Sequence, residues 1–224
     1  MTETLTSHKM KEQAKREFDA WAHSYDDSIL HRLLFEPSYN LLIEKLYKFY
    51  ARDSQKKRLL DVGCGTGILP ARIIGADLPF DVVGLDYSEP MCHKAHEKSI
   101  KLDVFHRTHF VNADSEHLPF ADASFDVVTC SNSFHHYPHQ QATVSAMRRV
   151  LAPGGRLLLI DGFRDNVIGW FVFDVCVTLA EKSVRHVSWS ETRDIFQKAG
   201  FSNVSQQKAG VTPPVLLTVG ELDN

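Results

Sequence analysis

The sequence predicts an α/β fold: a Rossmann-like, seven-stranded, mostly parallel sheet with helices on both faces, its last strand antiparallel, preceded by an N-terminal helical lid. Three observations predict it. Short apolar segments alternate with helical ones from residue 58 onward. The apolar runs, such as Phe125-Asp126-Val127-Val128-Thr129-Cys130, have the near-continuous character of parallel strands buried on both faces. Finally, Gly63, Gly65 and Gly67 follow the first such strand at alternate positions, where a strand must turn sharply into a helix.

Each element has a local reason. Met10, Ala14, Phe18, Trp21 and Tyr25 recur at steps of three and four, which sets them on one face of a leading amphipathic helix. Pro37 is suited to open a second helix that runs to Tyr50, with Leu41, Leu42, Ile43, Leu46, Tyr47 and Phe49 as its apolar face; the polar run Arg52 to Arg58 ends it. Strands are expected at 58–62, 81–86, 105–111, 124–131 and 155–161, with helices at 66–75, 88–101 and 139–151 between them. Pro153, Gly154 and Gly155 form the turn before the fifth strand. The rest reads as an apolar helix near 166–183, a helix from Ser190 to Ala199 stopped by Gly200, and closing strands near 202–208 and 214–220. Ser188 and Glu191 have capping-box spacing for that helix. Without repeats or low-complexity stretches, the chain divides within one domain: a helical cap at 1–52, a core at 53–162, a helical insertion at 163–187 and a closing unit at 188–224.

Composition narrows the function. With 224 residues, 43% hydrophobic and 24% charged, one domain with a full core is expected. A formal charge of -3 provides no cationic field to gather nucleic acid. Cys64, Cys92, Cys130 and Cys176 form no C-x-x-C pair and read as small apolar residues in a reducing compartment. The first residues lack a basic segment followed by an apolar stretch, so the expected location is cytoplasmic. The longest apolar tract, Val167 to Ala180, carries Asp174 and is shorter than the ~20 residues that span a bilayer, so no transmembrane segment is expected.

The glycine loop is specific about its ligand. Asp61, two residues before Gly63, would repel a pyrophosphate and favour a cation, and Ile68 stands where a dinucleotide fingerprint needs its third glycine. A nucleoside without phosphates but with positive charge fits, and S-adenosyl-L-methionine is such a molecule. Asp86 ends the second strand about 20 residues past the loop, where an acid accepts hydrogen bonds from both ribose hydroxyls. A nicotinamide oxidoreductase is the weaker reading, because Asp61 and the displaced glycine oppose it.

With these motifs in place, the sequence resembles the class I S-adenosylmethionine-dependent methyltransferases, and most of all the small-molecule branch that holds the ubiquinone and menaquinone biosynthesis enzymes. The likeness covers Phe18 to about Gly200. It rests on Leu59 to Gly67, on Leu118 to Asp126 (Leu-Pro-Phe-x-Asp-x-Ser-Phe-Asp), on Leu151 to Gly155 (Leu-x-Pro-Gly-Gly) and on Phe18 to Asp26 (Phe-Asp-x-x-Ala-x-x-Tyr-Asp). The resemblance implies that Asp61 and Gly63 face the methionine end of the cofactor and that Cys64 and Gly65 approach it with their backbone. It also implies that Tyr87 and Met91 pack on the adenine and that Asp114, followed by Ser115, accepts from the adenine amino group. Ala113 and Ser115 replace the family's commoner Gly and Ala. Ser131 should line the pocket beside the sulfonium, and Tyr25 should close over the methionine moiety as part of a lid. The product is S-adenosyl-L-homocysteine.

Methyl transfer from a sulfonium is an in-line displacement in which positive charge disperses, so alignment and exclusion of water supply much of the acceleration. A base becomes useful when the acceptor is a hydroxyl. His135 and His136 follow the fourth strand and are the candidates for catalysis, against structural packing of one and solvation of the other; His186 is a weaker candidate. No metal is expected. The pair His93 and His96, and the cluster His135, His136 and His139, lack the cysteines or carboxylates of a closed site, and Ser131-Asn132-Ser133 stands where metal-dependent relatives carry an aspartate. The absence of an Asp/Asn-Pro-Pro-aromatic segment there argues against nucleic-acid bases as acceptors. The apolar helix with Ile168, Trp170, Phe171, Phe173, Val175 and Val177 suits an apolar or aromatic small-molecule acceptor, and suits core or a homodimer face equally well. A catalytically silent S-adenosylmethionine-binding module, serving as sensor or partner subunit, is the alternative function.

Overall fold

The structure, a computed structural model, describes residues 2–21, 29–50, 55–165, 184–210 and 214–223. Two helices, α1 (Thr2–Trp21) and α2 (Ile29–Tyr50), precede the sheet. The sheet core follows as β1 (Lys57–Val62), α3 (Ile68–Gly75), β2 (Phe80–Asp86), α4 (Glu89–Lys101), β3 (Thr108–Asn112), β4 (Phe125–Ser131), α5 (Gln140–Val150) and β5 (Leu151–Gly162). It closes with α6 (Trp189–Ala199), β6 (Asn203–Ala209) and β7 (Val215–Glu221).

The strand order is β3-β2-β1-β4-β5-β7-β6. β1 to β5 pair in parallel, and β7 runs antiparallel to both β5 and β6. The chain moves outward from β1 through β2 to β3, then returns to the other side of β1 as β4. Loops leaving β1 and β4 therefore diverge and open a crevice at the strands' carboxyl ends, which is where such sheets bind ligands. Consecutive strand residues feed opposite faces. Leu59, Val127 and Leu158 pack with Leu42, Leu46 and Ile73 of α2 and α3, whereas Leu60, Val128 and Leu159 pack with Val144, Met147 and Phe196 of α5 and α6.

Most expected elements are present, with instructive departures. Pro37 lies inside α2 rather than at its start. Proline there removes one backbone bond and crowds the preceding turn, a cost of about 3 kcal/mol; burial of Leu41, Leu42 and Leu46 on the sheet offsets it. Residues Phe105–Arg107 form a 3₁₀ turn, and β3 starts only at Thr108. The Arg107 guanidinium donates to the carbonyl oxygens of Leu78 and Phe80, which ties this turn beneath β2 and keeps it out of the ladder. Pro153, Gly154 and Gly155 do not precede β5 but sit within it, at a register break between the Phe125–Leu151 and Val127–Arg156 pairs. The capping box of α6 forms as expected, with Ser188 and Glu191 each bonded to the other's backbone N–H, and Gly200 ends the helix at φ 94°. Tyr25, Cys176 and the apolar helix near 166–183 lie outside the described residues.

Candidate cofactor and methyl-transfer site

The crevice is a hollow floored by the loop after β1 and roofed by α1. The alternate glycines serve separate ends. A Cβ at Gly63, which has φ 74°, would run into the side chains of Ser133 and Tyr137. At Gly65, φ 52°, a Cβ would meet nothing within 4 Å. That open volume belongs to the hollow, whose lining includes Asp86 and Asp114.

Asp86 stands at the carboxyl end of β2. Its Oδ2 accepts from the Gly65 N–H at 2.8 Å and its Oδ1 from the Ser88 N–H at 2.9 Å. An ionised carboxylate offers about four acceptor positions, so each oxygen keeps capacity toward the hollow. Burial raises the pKa of this carboxyl above its ordinary value. Across the hollow, Asp114 takes the Lys11 ammonium at 2.7 Å and the Glu116 N–H at 3.0 Å. Burial would raise its pKa, but the Lys11 hydrogen bond and the Glu116 N–H outweigh that and lower it. Tyr87, Met91, Ala113 and Ser115 complete this end.

α1 closes the hollow with Lys11, Ala14, Lys15 and Phe18. Its clasp consists of Lys11 on Asp114 and Glu116, the Tyr87 hydroxyl on Glu12, and the Ser88 hydroxyl on Asp19. Lys11 carries no local sequence signal, because a lysine on an amphipathic helix reads as solvated.

Asp61 departs from expectation. It is 2% exposed and does not line the hollow; its Oδ1 accepts from the Thr129 hydroxyl at 2.7 Å. Asp61 and Thr129 are register partners on β1 and β4, so their side chains share one face of the sheet. Burial pushes its carboxyl up to about 7. The carboxyl thus lies one layer beneath the glycine loop.

At the opposite end, Ser131, Asn132, Ser133, His136, Tyr137 and Pro138 form the wall after β4. Asn132 sits at φ 53°, its amide donating to the Ser131 hydroxyl at 3.0 Å and its Oδ1 accepting from Ser38 of α2 at 2.9 Å. A left-handed asparagine held this way is invisible in sequence, although asparagine is among the residues that tolerate it. The two expected catalytic histidines separate. His136 lines the hollow with Phe18 edge-on to its ring at 4.8 Å, and burial holds its pKa well below the ordinary histidine value. His135 turns away: its N–H donates to Asp161 Oδ2 at 3.0 Å, and its Nδ1 lies 2.7 Å from Asp161 Oδ1. Asp161 was missed because an aspartate ending an apolar strand has no spacing signal toward a histidine on another loop. His93, His96 and His139 are exposed, and among the described residues His135 gathers with Asp161 and His186.

Similarity to known proteins follows this geometry. Residues 60–159 match the family described as a methyltransferase domain. Over 104 residues the chain is 43% identical to the 27-O-demethylrifamycin SV methyltransferase of Amycolatopsis mediterranei, a match spanning 46% of this chain but only 38% of that enzyme. It is 34% identical over 169 residues to the demethylmenaquinone methyltransferase of Listeria welshimeri, spanning 65% of this chain and 70% of that one. The chain belongs to the class I S-adenosylmethionine-dependent methyltransferases. Among solved structures, the methyltransferase in the complex with the Haloferax volcanii Trm112 methyltransferase activator superposes with a TM-score of 0.75 at 20% identity, covering 93% of this chain and 98% of that one, a likeness of fold alone. S-adenosylmethionine is therefore the cofactor of this methyltransferase, and the hollow fits it. Gly65 leaves room for a ligand, and Asp86 and Asp114 offer acceptors suited to the hydroxyl and amino groups of a phosphate-free nucleoside. No helix among the described residues is long and apolar enough to cross a membrane.

Proposed function

We propose that this methyltransferase acts on an apolar or aromatic small molecule with a hydroxyl acceptor, and that the donor lies with its ribose on Asp86, its adenine between Tyr87, Met91 and Asp114, and its amino-acid end over Gly63, Cys64 and Gly65. The bound donor supplies an electrophilic methyl group on a sulfonium. Ser131 lies at the junction of the two halves, so the reacting centre falls between the glycine loop and the wall after β4. The observation that carries this reading is the division of one hollow into an acid-flanked end at Asp86 and Asp114 and an end bearing His136.

The protein's work is chiefly positional. α1 covers the hollow and excludes water, and the loop amides fix the donor for in-line attack. Phe18, Tyr39, Ile68 and Pro138 give the acceptor end an apolar lining. His136 is the group on the wall placed to take a hydroxyl's proton as the new O–C bond forms. His135, bound to Asp161 behind it, packs against His136 at 4.1 Å between ring centroids and sets its position. The relatives' names support a small-molecule acceptor, one naming a 27-O-demethylrifamycin and the other demethylmenaquinone, and only the first names an oxygen. We assign the whole chain to one domain with residues 1–52 as cap and 163–187 as the acceptor-side insertion. We place the reaction in the cytoplasm, as befits three buried free cysteines among the described residues.

Turnover on hydroxylated aromatics, quinols, fatty acids and polar amines tests this reading. Activity on the first two that falls at least tenfold in kcat for His136→Ala supports it. Activity confined to polar amines contradicts the apolar acceptor, and donor binding without turnover on any acceptor favours the silent module.

A further inference from the structure

Outside the transfer site, one buried cluster has the composition of a ligand set. His135 follows β4, Asp161 lies near the carboxyl end of β5, and His186 precedes α6, so three segments distant in sequence converge. Their exposures are 8%, 8% and 5%, and one potential ligand atom of each lies within 4.8 Å of the others. The imidazoles of His135 and His186 stack at 4.7 Å with 29° between planes. A small cavity adjoins them, lined also by Arg185, Thr192 and Leu216.

The internal bonding suits coordination. Nδ1 of His135 lies 2.7 Å from Asp161 Oδ1, so an ion that displaces the proton between them meets a nitrogen and an oxygen lone pair already side by side. Asp161 Oδ1 also accepts the Gly162 N–H, whereas Oδ2 is approached by the His135 N–H, which leaves the carboxylate acceptor capacity. Two imidazoles and one carboxylate make a set used for divalent first-row ions, with positions left for water. Ligand atoms at ~2.0–2.2 Å from such an ion lie at most about 4.4 Å apart, so the three side chains, spread over up to 4.8 Å here, must draw together as the ion enters.

We propose that His135, Asp161 and His186 form a binding site for a divalent transition-metal ion, zinc being the best match, which fastens the wall behind His136 to β5 and to the segment entering α6. The site is distinct from the donor hollow, so its test needs neither donor nor acceptor.

The full-length protein, dialysed against chelator, is titrated with Co²⁺ and followed by visible absorption, then with Zn²⁺ by calorimetry. The expected result is a ligand-field band that saturates near about one equivalent and is displaced by Zn²⁺. His186→Ala should weaken Zn²⁺ binding by roughly 100-fold, while His93→Ala/His96→Ala, on an exposed helix face, leaves it unchanged. Absence of a saturable band in the wild-type protein overturns the proposal without any variant having to fold. So does a band of equal strength in His186→Ala, and either result makes the cluster a hydrogen-bonded brace only.

Discussion

Replacing Asp86 by alanine separates its two duties. Asp86 accepts the Gly65 and Ser88 backbone N–H groups. Its remaining acceptor capacity is assigned to the ribose hydroxyls. A hydrogen bond to a charged group is worth ~1.5–3 kcal/mol, so losing two costs about 3–6 kcal/mol if they add. Loosening of the glycine loop acts in the same direction. At 1.4 kcal/mol per decade, binding of S-adenosylhomocysteine should weaken by roughly 100-fold to 10,000-fold. The variant also leaves the Gly65 and Ser88 N–H groups without their acceptor, so its thermal midpoint should fall as well. Calorimetric titration with S-adenosylhomocysteine beside a melting curve reads both quantities. An intact fold whose affinity lies within threefold of wild type would refute the argument and move the ribose elsewhere.

Other positions give sharper contrasts. Gly65→Val fills the open cradle with a branched side chain and should abolish donor binding while circular dichroism still reports a folded protein; retained binding would remove the ligand from that volume. Gly63→Ala combines a positive φ with collisions against Ser133 and Tyr137, so it should lower stability by ~2 kcal/mol or more in denaturant titration, and an unchanged midpoint would contradict the packing. The Asp61 carboxyl has its pKa raised from 3.8 to about 7 in the folded state, so its contribution to stability is fully present below 3.8 and is lost as pH rises through about 7. A donor ammonium nearby favours the ionised form. Binding of S-adenosylhomocysteine near pH 6 should therefore release protons, seen as a calorimetric heat that depends on the buffer's ionisation enthalpy. Asp61→Asn should remove that dependence, and a buffer-independent heat in the wild type would disprove the coupling.

The frame of the fold was legible because sheet burial writes itself into short apolar runs and because glycines mark the turn after β1. Asp86 was legible through its place at the end of β2 and Asp114 through the family resemblance, and both line the crevice. What sequence misplaced depended on tertiary compensation. Pro37 looked like a helix start until α2 packed through it, and the Pro153-Gly154-Gly155 turn became a bulge because β4 pairs on both sides of it. Asp61 was read as facing the methionine end of the cofactor, directly or through water, and strand register sets it on Thr129 beneath the loop. Asn132, Lys11 and the Asp161 partnership with His135 depend on a backbone angle or on convergence of distant segments, and neither leaves a local pattern.

The account stands most directly on where the donor lies, and a crystal structure of the protein grown with S-adenosylhomocysteine measures that. The ribose should rest on Asp86, the adenine should reach Asp114, and the homocysteine end should cross Gly65 toward Ser131 and His136. Electron density for the ligand outside this hollow, or in it with the adenine toward His136, would contradict the assignment of both ends.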